Sequence, residues 1–131
     1  MVIRFMQILQ IEDSPIICQL YQDFFTTQNH SVESVTDGRE GLELVMKNDY
    51  DVILLDILMP KYGGMQFLND LKNQRPSELK KVTIVSQMDF NYDDLEKFKE
   101  YGVNSVQKKT LDLVKFENTS TLEIQNGLVY R

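Results

Sequence analysis

The chain has 131 residues, of which 42% are hydrophobic, and its 20 acidic and 14 basic residues give a formal net charge of −6. This length fits one domain with its own core, and the hydrophobic content is typical of a globular protein rather than a disordered one. The acidic balance argues against direct nucleic-acid binding by this domain, because a phosphate backbone requires a basic face.

The N-terminus and the cysteine content concern the cellular compartment. Residues 1–11 contain one basic residue, Arg4, and lack an apolar stretch that ends in a small-residue cleavage site. No window approaches the length of a membrane span. Cys18 is the only cysteine, so no internal disulfide can form. We expect a cytoplasmic protein without a signal peptide or membrane segment, in which Cys18 is a small apolar helix residue.

The first part of the chain alternates short apolar runs with helical periodicity. Residues 5–11 and 31–35 are predicted strands. A capping hydroxyl and a proline at Ser14-Pro15 favour a helix start between them. The predicted inner stripe of that helix consists of Ile16, Leu20 and Phe24, with Ile17 beside them. His30 precedes the second strand and is predicted to be a surface residue.

A second helix is predicted after the Asp37-Gly38 turn, with Leu42, Val45 and Met46 on one face. Residues 51–56 form the clearest strand, because they are apolar without alternation, as a strand covered on both faces should be. A loop then leads to a third helix whose apolar residues are Met65, Leu68 and Leu71.

The pattern continues with a fourth strand over residues 82–85 and a fifth over 105–108. Between them, Asp93 and Asp94 suit the start of a helix, and Gly102 suits its end. The inner face of that helix carries Leu95 and Phe98. Five strands alternating with helices predict an open, doubly wound α/β fold with right-handed crossovers.

The C-terminal part is less regular. Residues 110–117 could form a short last helix, and Asn126-Gly127 is typical of a two-residue hairpin turn. We expect one domain over residues 1–118. Residues 119–131 could be a hairpin, a linker or the start of a further domain.

Polar residues follow the predicted strands at their carboxyl ends, where open parallel sheets bind ligands. They are Glu12 and Asp13 after the first strand, Asp56 at the end of the third, Ser86 at the end of the fourth and Lys109 after the fifth. A strand order of 2-1-3-4-5 would bring these ends together.

The chemistry of this set points to phosphoryl transfer. Three carboxylates in one pocket repel one another unless a cation joins them, and Mg2+ is the hard ion that carboxylates and a phosphate oxygen favour. Asp56 could then attack phosphorus, while the Lys109 ammonium and the Ser86 hydroxyl stabilise the oxygens of the transferred group.

Four segments, in order and correctly spaced, resemble the receiver domain of two-component response regulators. They are residues 8–15, with the acidic pair; 51–56, with the following Met59, Pro60 and Gly64; 82–86; and 102–109. The resemblance covers about residues 5–116 and implies a flavodoxin-like five-stranded parallel sheet.

The resemblance implies that Asp56 is phosphorylated and that Asp13 binds Mg2+ directly. Glu12 would act through a water molecule, and the Leu58 carbonyl would also face the metal. Lys109, rather than Lys108, matches the family lysine, because it lies seven residues after Gly102.

The resemblance further implies a signalling switch rather than an enzyme. Its phosphodonor would be a sensor histidine kinase or a phosphotransfer protein. The predicted partner surface is formed by the fourth helix, the fifth strand and the last helix, through which a homodimer could also form.

Four positions depart from the family pattern. Thr110 replaces the usual proline, so no cis peptide is expected there. Val106 replaces the common aromatic switch residue, which puts the coupling of Ser86 to a rotating ring in doubt. Leu58 and Gln87 would border the phosphoryl group, and we expect them to hinder attacking water and lengthen the acyl-phosphate lifetime. The tyrosines and methionines are interpreted as packing residues.

Two other functions fit parts of the same pattern. A haloacid-dehalogenase-type phosphatase would need a second acid two residues after Asp56, and Leu58 cannot transfer a proton. A degenerate receiver that only binds proteins stays open because of Val106 and Thr110, although the complete acid, hydroxyl and lysine set argues against it.

Overall fold

The computed structural model of the chain describes residues 5–109. The predicted last helix, Thr110 and the tail of residues 119–131 lie outside the described residues. The described residues therefore do not test the predicted domain boundary at residue 118.

Five parallel strands form one sheet in the order β2-β1-β3-β4-β5, which confirms the predicted topology. The strands are β1 (Gln7–Ile11), β2 (Ser31–Val35), β3 (Val52–Leu55), β4 (Val82–Ser86) and β5 (Ser105–Lys108). The α-helices of the described part are α1 (Pro15–Thr27), α2 (Gly38–Lys47), α3 (Gly64–Gln74) and α4 (Tyr92–Tyr101). A 3₁₀ helix over Pro76–Lys81, which was not predicted, leads into β4.

Local capping fixes where these helices begin and end. The Ser14 side chain accepts a hydrogen bond from the Ile17 amide, with Pro15 in the first turn, as the sequence predicts. Asp37 caps α2 by accepting from the Arg39 amide at 2.7 Å. Helix α4 begins with a capping box between Asn91 and Asp94. It ends at Gly102, whose φ of 92° lies in the left-handed region that glycine adopts easily.

The predicted inner stripe of α1 was wrong. Ile16 is 80% exposed, and the buried residues of the helix are Cys18, Tyr21 and Phe25. Leu20 and Phe24 pack only at the margin of that face. Successive helical residues are about 100° apart, so a stripe chosen from the most aliphatic residues misplaced the inner face by one position.

The surface prediction for His30 was also wrong. The residue is buried, and its Nδ1 accepts a hydrogen bond from the Met6 amide at 3.1 Å. Its ring lies 6.1 Å from that of Phe25, between the end of α1 and the start of β1. The polar side chain is buried because a backbone donor satisfies it there.

The core consists of two apolar clusters. The larger one joins Leu9, Ile53 and Ile84 of the sheet to residues such as Val45 of α2 and Phe67 of α3. The smaller one contains Tyr21 and Phe25 of α1 packed on Ile8, Leu54 and Val85. Helices therefore cover both faces of the sheet, and the carboxyl ends of the central strands remain accessible between them. Within residues 5–109, no helix combines the length and apolar character needed to cross a bilayer.

Candidate functional site

An acidic cluster lies where β1 and β3 end side by side. Ile11 pairs with Leu55 across the two strands, and the Asp56 amide donates to the Ile11 carbonyl at 3.0 Å. The next residues therefore emerge together. Glu12, Asp13 and Asp56 each place a carboxylate oxygen within 4.8 Å of the others.

Burial makes this cluster electrostatically unusual. Glu12 and Asp56 are only 3% and 5% exposed, whereas Asp13 is more open to solvent. Burial raises the pKa of Glu12 to about 7, against the opposing effects of Lys109 and of the Ser14 amide, which donates to Glu12 Oε2 at 3.1 Å. Buried like charges of this kind require a cation nearby.

Lys109 supplies one positive charge. Its Nζ lies 2.5 Å from Glu12 Oε1 and 3.4 Å from Asp56 Oδ2. Burial alone would lower the pKa of Lys109, but the two carboxylates outweigh it and raise the pKa above its ordinary value. The Lys109 amide also donates to the Ser86 carbonyl at 2.8 Å, which fixes the lysine just beyond the paired ends of β4 and β5.

Ser86 is at the end of β4 and is fully buried. Its hydroxyl accepts a hydrogen bond from the Met88 amide at 3.1 Å, so it is bonded within the loop that follows β4. In the described part of the chain, the cavity over the acids is lined by Gln87 rather than by Ser86. The structure thus brings Glu12, Asp13, Asp56 and Lys109 together, whereas the Ser86 hydroxyl is turned towards Met88 and does not line their cavity.

The cavity above the carboxylates has a volume of about 310 Å³ and opens to solvent. Leu58 and Gln87 border it. The Leu58 amide donates to Asp56 Oδ1 at 3.1 Å, which ties the loop after β3 to the acid, and the Leu58 side chain is 56% exposed. The room over Asp56 suits a small anionic group.

The donor set fits a hard divalent cation. All candidate side-chain ligands are carboxylate oxygens, two of them buried, and they converge on one point from two strands. Oxygen ligands of this kind suit Mg2+, which retains several waters and is held by one or two carboxylates. Residues Glu12, Asp13 and Asp56 could hold the ion, with the Leu58 backbone next to them.

Two residues near the site, Lys108 and Tyr62, make contacts that the sequence did not predict. Lys108 donates to the Gln87 carbonyl at 2.6 Å and to Asp89 at 2.8 Å, which anchors the loop after β4. Tyr62, in the loop after Asp56, donates through its hydroxyl to Asp70. Neither contact could be inferred from the sequence, because each depends on where a loop folds back.

Comparison with known proteins shows the family of the chain. The response regulator receiver domain family matches residues 8–119 of the chain. The response regulator ArlR of Staphylococcus aureus is 26% identical over 107 residues, which are 82% of this chain and 47% of ArlR. The chain thus spans about half the length of the curated relatives it matches.

Solved structures show the same fold. The receiver domain of the Francisella response regulator 1452 superposes with a TM-score of 0.74 at 23% identity, covering 92% of this chain and 98% of the other. The response regulator TrrA of Thermotoga maritima, in complex with Mg2+ and BeF, has a TM-score of 0.74 at 18% identity, covering 89% and 97%. The chain belongs to the response regulator receiver domain family, whose members are signalling switches of two-component systems.

Proposed function

We propose that this receiver domain accepts a phosphoryl group on Asp56, with Mg2+ as cofactor, and thereby changes the surface it offers to a partner. One observation carries the proposal. Three carboxylates and the Lys109 ammonium converge below an open cavity at the ends of β1, β3 and β5. A structural ion pair alone would not need a third carboxylate or an open cavity.

In the proposed reaction, an Asp56 oxygen attacks the phosphorus of a phosphohistidine. A P–O bond forms, the donor's P–N bond breaks, and the leaving imidazole takes up a proton from solvent. Histidine kinases are the partners of receiver domains, so a sensor histidine kinase or a phosphotransfer protein is the proposed donor. Asp56 suits this role because it lines the cavity and its carboxylate lies beside Lys109.

The cofactor is proposed from the donor set and from the Mg2+ complex of TrrA. Asp13 and Asp56 would bind the ion directly, Glu12 through water, and the Leu58 carbonyl would complete the protein ligands. Bound there, Mg2+ supplies positive charge to the transferred oxygens. Lys109 would stabilise a second oxygen once its ammonium leaves Glu12 and pairs with the phosphoryl group. Ser86 would stabilise a third oxygen once its hydroxyl breaks the hydrogen bond with the Met88 amide.

The proposed output follows from that exchange. Moving the Ser86 hydroxyl releases Met88, and the loop after β4 would then rearrange against α4 and β5. We propose the face formed by α4 and β5, together with the predicted last helix, as the partner or dimer surface. Cytoplasmic location, and the absence of direct nucleic-acid binding, stay predictions.

The test is to incubate the chain with phosphoramidate and Mg2+ and to measure its intact mass. We expect one added phosphoryl group, lost in Asp56→Asn and without Mg2+, and sensitive to hydroxylamine as an acyl phosphate is. Turnover of the donor without accumulation would indicate a phosphatase. No modification and no Mg2+ binding would indicate a module that only binds proteins, and either result would overturn the proposal.

A further inference from the structure

Tyr62 joins three elements around the loop that follows the acceptor aspartate. The loop runs from Ile57 to Gly63, between β3 and α3, and the Tyr62 side chain is only 6% exposed. Its hydroxyl donates to the Asp70 carboxylate on α3. Its ring packs under α2, where a Cβ atom added to Gly38 would lie 2.8 Å from Tyr62 Cδ1. The Arg39 guanidinium stacks 4.9 Å from the ring centroid.

The same loop is closed at its base by a hydrogen bond and exposed at its crest, around Leu58 and Lys61. The Gly64 amide donates to the Ile57 carbonyl at 3.2 Å, so the two ends of the loop meet. Between them, Lys61 has a φ of 62°, in the left-handed region that non-glycine residues seldom adopt. Leu58 and Lys61 are exposed. Tyr62 is therefore the buried side chain that ties the crest to α2 and α3.

The hydroxyl keeps its proton under ordinary conditions. Burial, followed by the hydrogen bond and charge of Asp70, raises the pKa of Tyr62 above its usual range. Tyr62, which lies four residues after Leu58 in the same loop, thus acts as a permanent donor to Asp70.

We propose that Tyr62 is a positioning residue for the metal site, which holds the Leu58 backbone against Asp56 through its bond to Asp70. The inference rests on the proposed function, because it assigns Tyr62 to the Mg2+ site at Asp56. Groups that orient metal ligands typically contribute about 10-fold or more to metal affinity. We expect Tyr62→Phe, which keeps the ring and loses only the hydroxyl, to weaken Mg2+ binding about 10-fold.

The chain offers a matched control. Tyr50 is also buried, at 7% exposure, and its hydroxyl also donates to a carboxylate, Glu33 Oε1, at 2.6 Å. It precedes β3, at the opposite end of that strand from Asp56. Tyr50→Phe removes the same group from an equivalent setting, so it reports the general cost of losing a buried tyrosine hydroxyl.

The experiment measures two quantities for the wild type and both variants. Mg2+ affinity is measured by calorimetric titration, and exchange of the Leu58 amide hydrogen is followed by NMR without metal. We expect weaker Mg2+ binding and faster Leu58 exchange in Tyr62→Phe, and wild-type values in Tyr50→Phe. Asp70→Ala should reproduce Tyr62→Phe, whereas Asp70→Asn, which keeps an acceptor oxygen, should restore most of the affinity.

The possible failures are distinct. If the wild type binds Mg2+ and Tyr62→Phe binds it equally well, the role of Tyr62 is overturned and the proposed function is left intact. Equal losses in Tyr62→Phe and Tyr50→Phe would overturn it as well, because the effect would then be one of general stability. A wild type that binds no Mg2+ would overturn both proposals.

Discussion

Lys109 Nζ lies 2.5 Å from Glu12 Oε1, inside the acidic cluster, although the preceding lysine points elsewhere. Lys108 donates to Gln87 and Asp89 instead. Successive residues of an extended segment face opposite sides, so two adjacent lysines reach two different loops. Of the two lysines, Lys109 is the one that lies beside Asp56, where the proposed function needs a positive charge.

This division predicts the effects of two equivalent substitutions. Lys109→Met should slow the phosphoramidate-dependent modification of Asp56 by about 100-fold, because it removes a preorganised positive charge from the transferred oxygens. Lys108→Met should stay within a few-fold of the wild type. Time courses of intact mass provide the measurement, and a similar loss in both variants would contradict the assignment of Lys109.

Metal binding should stabilise the fold. A ligand at 100 times its dissociation constant stabilises the native state by about 2.7 kcal/mol, provided that it binds only that state. We expect saturating Mg2+ to raise the urea midpoint of the wild type by a corresponding amount. Asp13→Asn should abolish this increase and cost little stability without metal, because it removes one of three mutually repelling carboxylates.

The control for that experiment is Asp23→Asn. Asp23 lies on α1, where its carboxylate accepts from the Gln19 side chain on the surface. This substitution changes the net charge equally but leaves the acidic cluster intact, so the response to Mg2+ should be unchanged. A response lost in both variants would mean that the ion acts through general charge screening.

Much of the architecture could be predicted because short strand segments alternate with helical periodicity, and β3 and β4 are largely apolar. The limits of β2 and β5 match their predicted ranges, while β1 begins at Gln7 rather than at Phe5, which is 62% exposed. Alternating strands and helices favour one topology, so the sequence alone predicts that the residues at the strand ends lie close together. The convergence of Glu12, Asp13, Asp56 and Lys109 follows from that topology.

Features set by tertiary packing could not be predicted. The inner face of α1 depends on the rotation of the helix against the sheet, which buries Tyr21 and leaves Ile16 80% exposed. His30 is buried because the Met6 amide, just before β1, donates a hydrogen bond to it. The orientation of the Ser86 hydroxyl towards Met88 likewise depends on the path of a loop.

Gly64 should be irreplaceable in a way that Gly63 is not. A Cβ atom on Gly64 would lie 2.6 Å from Ile57 Cα and 2.7 Å from the Asp56 carbonyl oxygen, both backbone atoms that cannot move alone. On Gly63, the closest atom would be the Met59 carbonyl oxygen at 3.3 Å. We expect Gly64→Ala to cost about 2 kcal/mol or more, as overpacking does, and Gly63→Ala less than about 1 kcal/mol.

Urea unfolding of both variants measures the difference, and phosphorylation of Asp56 provides a second readout. Because the Gly64 contact includes Asp56, the proposed acceptor, Gly64→Ala should also slow modification under conditions in which it remains folded. Equal stability of the two variants would show that the loop relaxes freely around Gly64.

Cys18 should react slowly with thiol reagents. Its Sγ donates to the Glu12 carbonyl at 3.2 Å, and burial, followed by the charges of Glu12 and Asp13, raises its pKa to about 11. The thiolate is the reactive form, and a raised pKa means that less of it exists at any pH below that value. At pH 8 roughly one thiol in a thousand would be ionised.

The measurement is the rate of reaction with Ellman's reagent at pH 8, with and without urea. We expect the native chain to react at least 100-fold more slowly than the unfolded chain, since both ionisation and access are reduced. Raising the pH from 8 to 9 should increase the native rate about 10-fold. A fast native reaction would show that the α1 start opens readily beside the acidic cluster.

The lifetime of the acyl phosphate should depend on the two side chains that border the cavity. Leu58 and Gln87 both line it, and neither can act as an acid or base towards water. An apolar side chain at its mouth offers attacking water no hydrogen bond, so we expect the phosphorylated chain to hydrolyse slowly. The double variant Leu58→Asn, Gln87→Ala should shorten the lifetime roughly 10-fold, because an amide can orient water and the smaller neighbour admits it.

The lifetime is measured by phosphorylating the chain, removing the donor and following the intact mass with time. Phe5→Asn is a suitable control, since it places the same amide on an exposed apolar position before β1, at the far end of that strand from the acids. Its lifetime should equal that of the wild type. Rapid loss of the phosphoryl group from the wild type, with no further change in the double variant, would show that water reaches the phosphorus by a route that neither side chain controls.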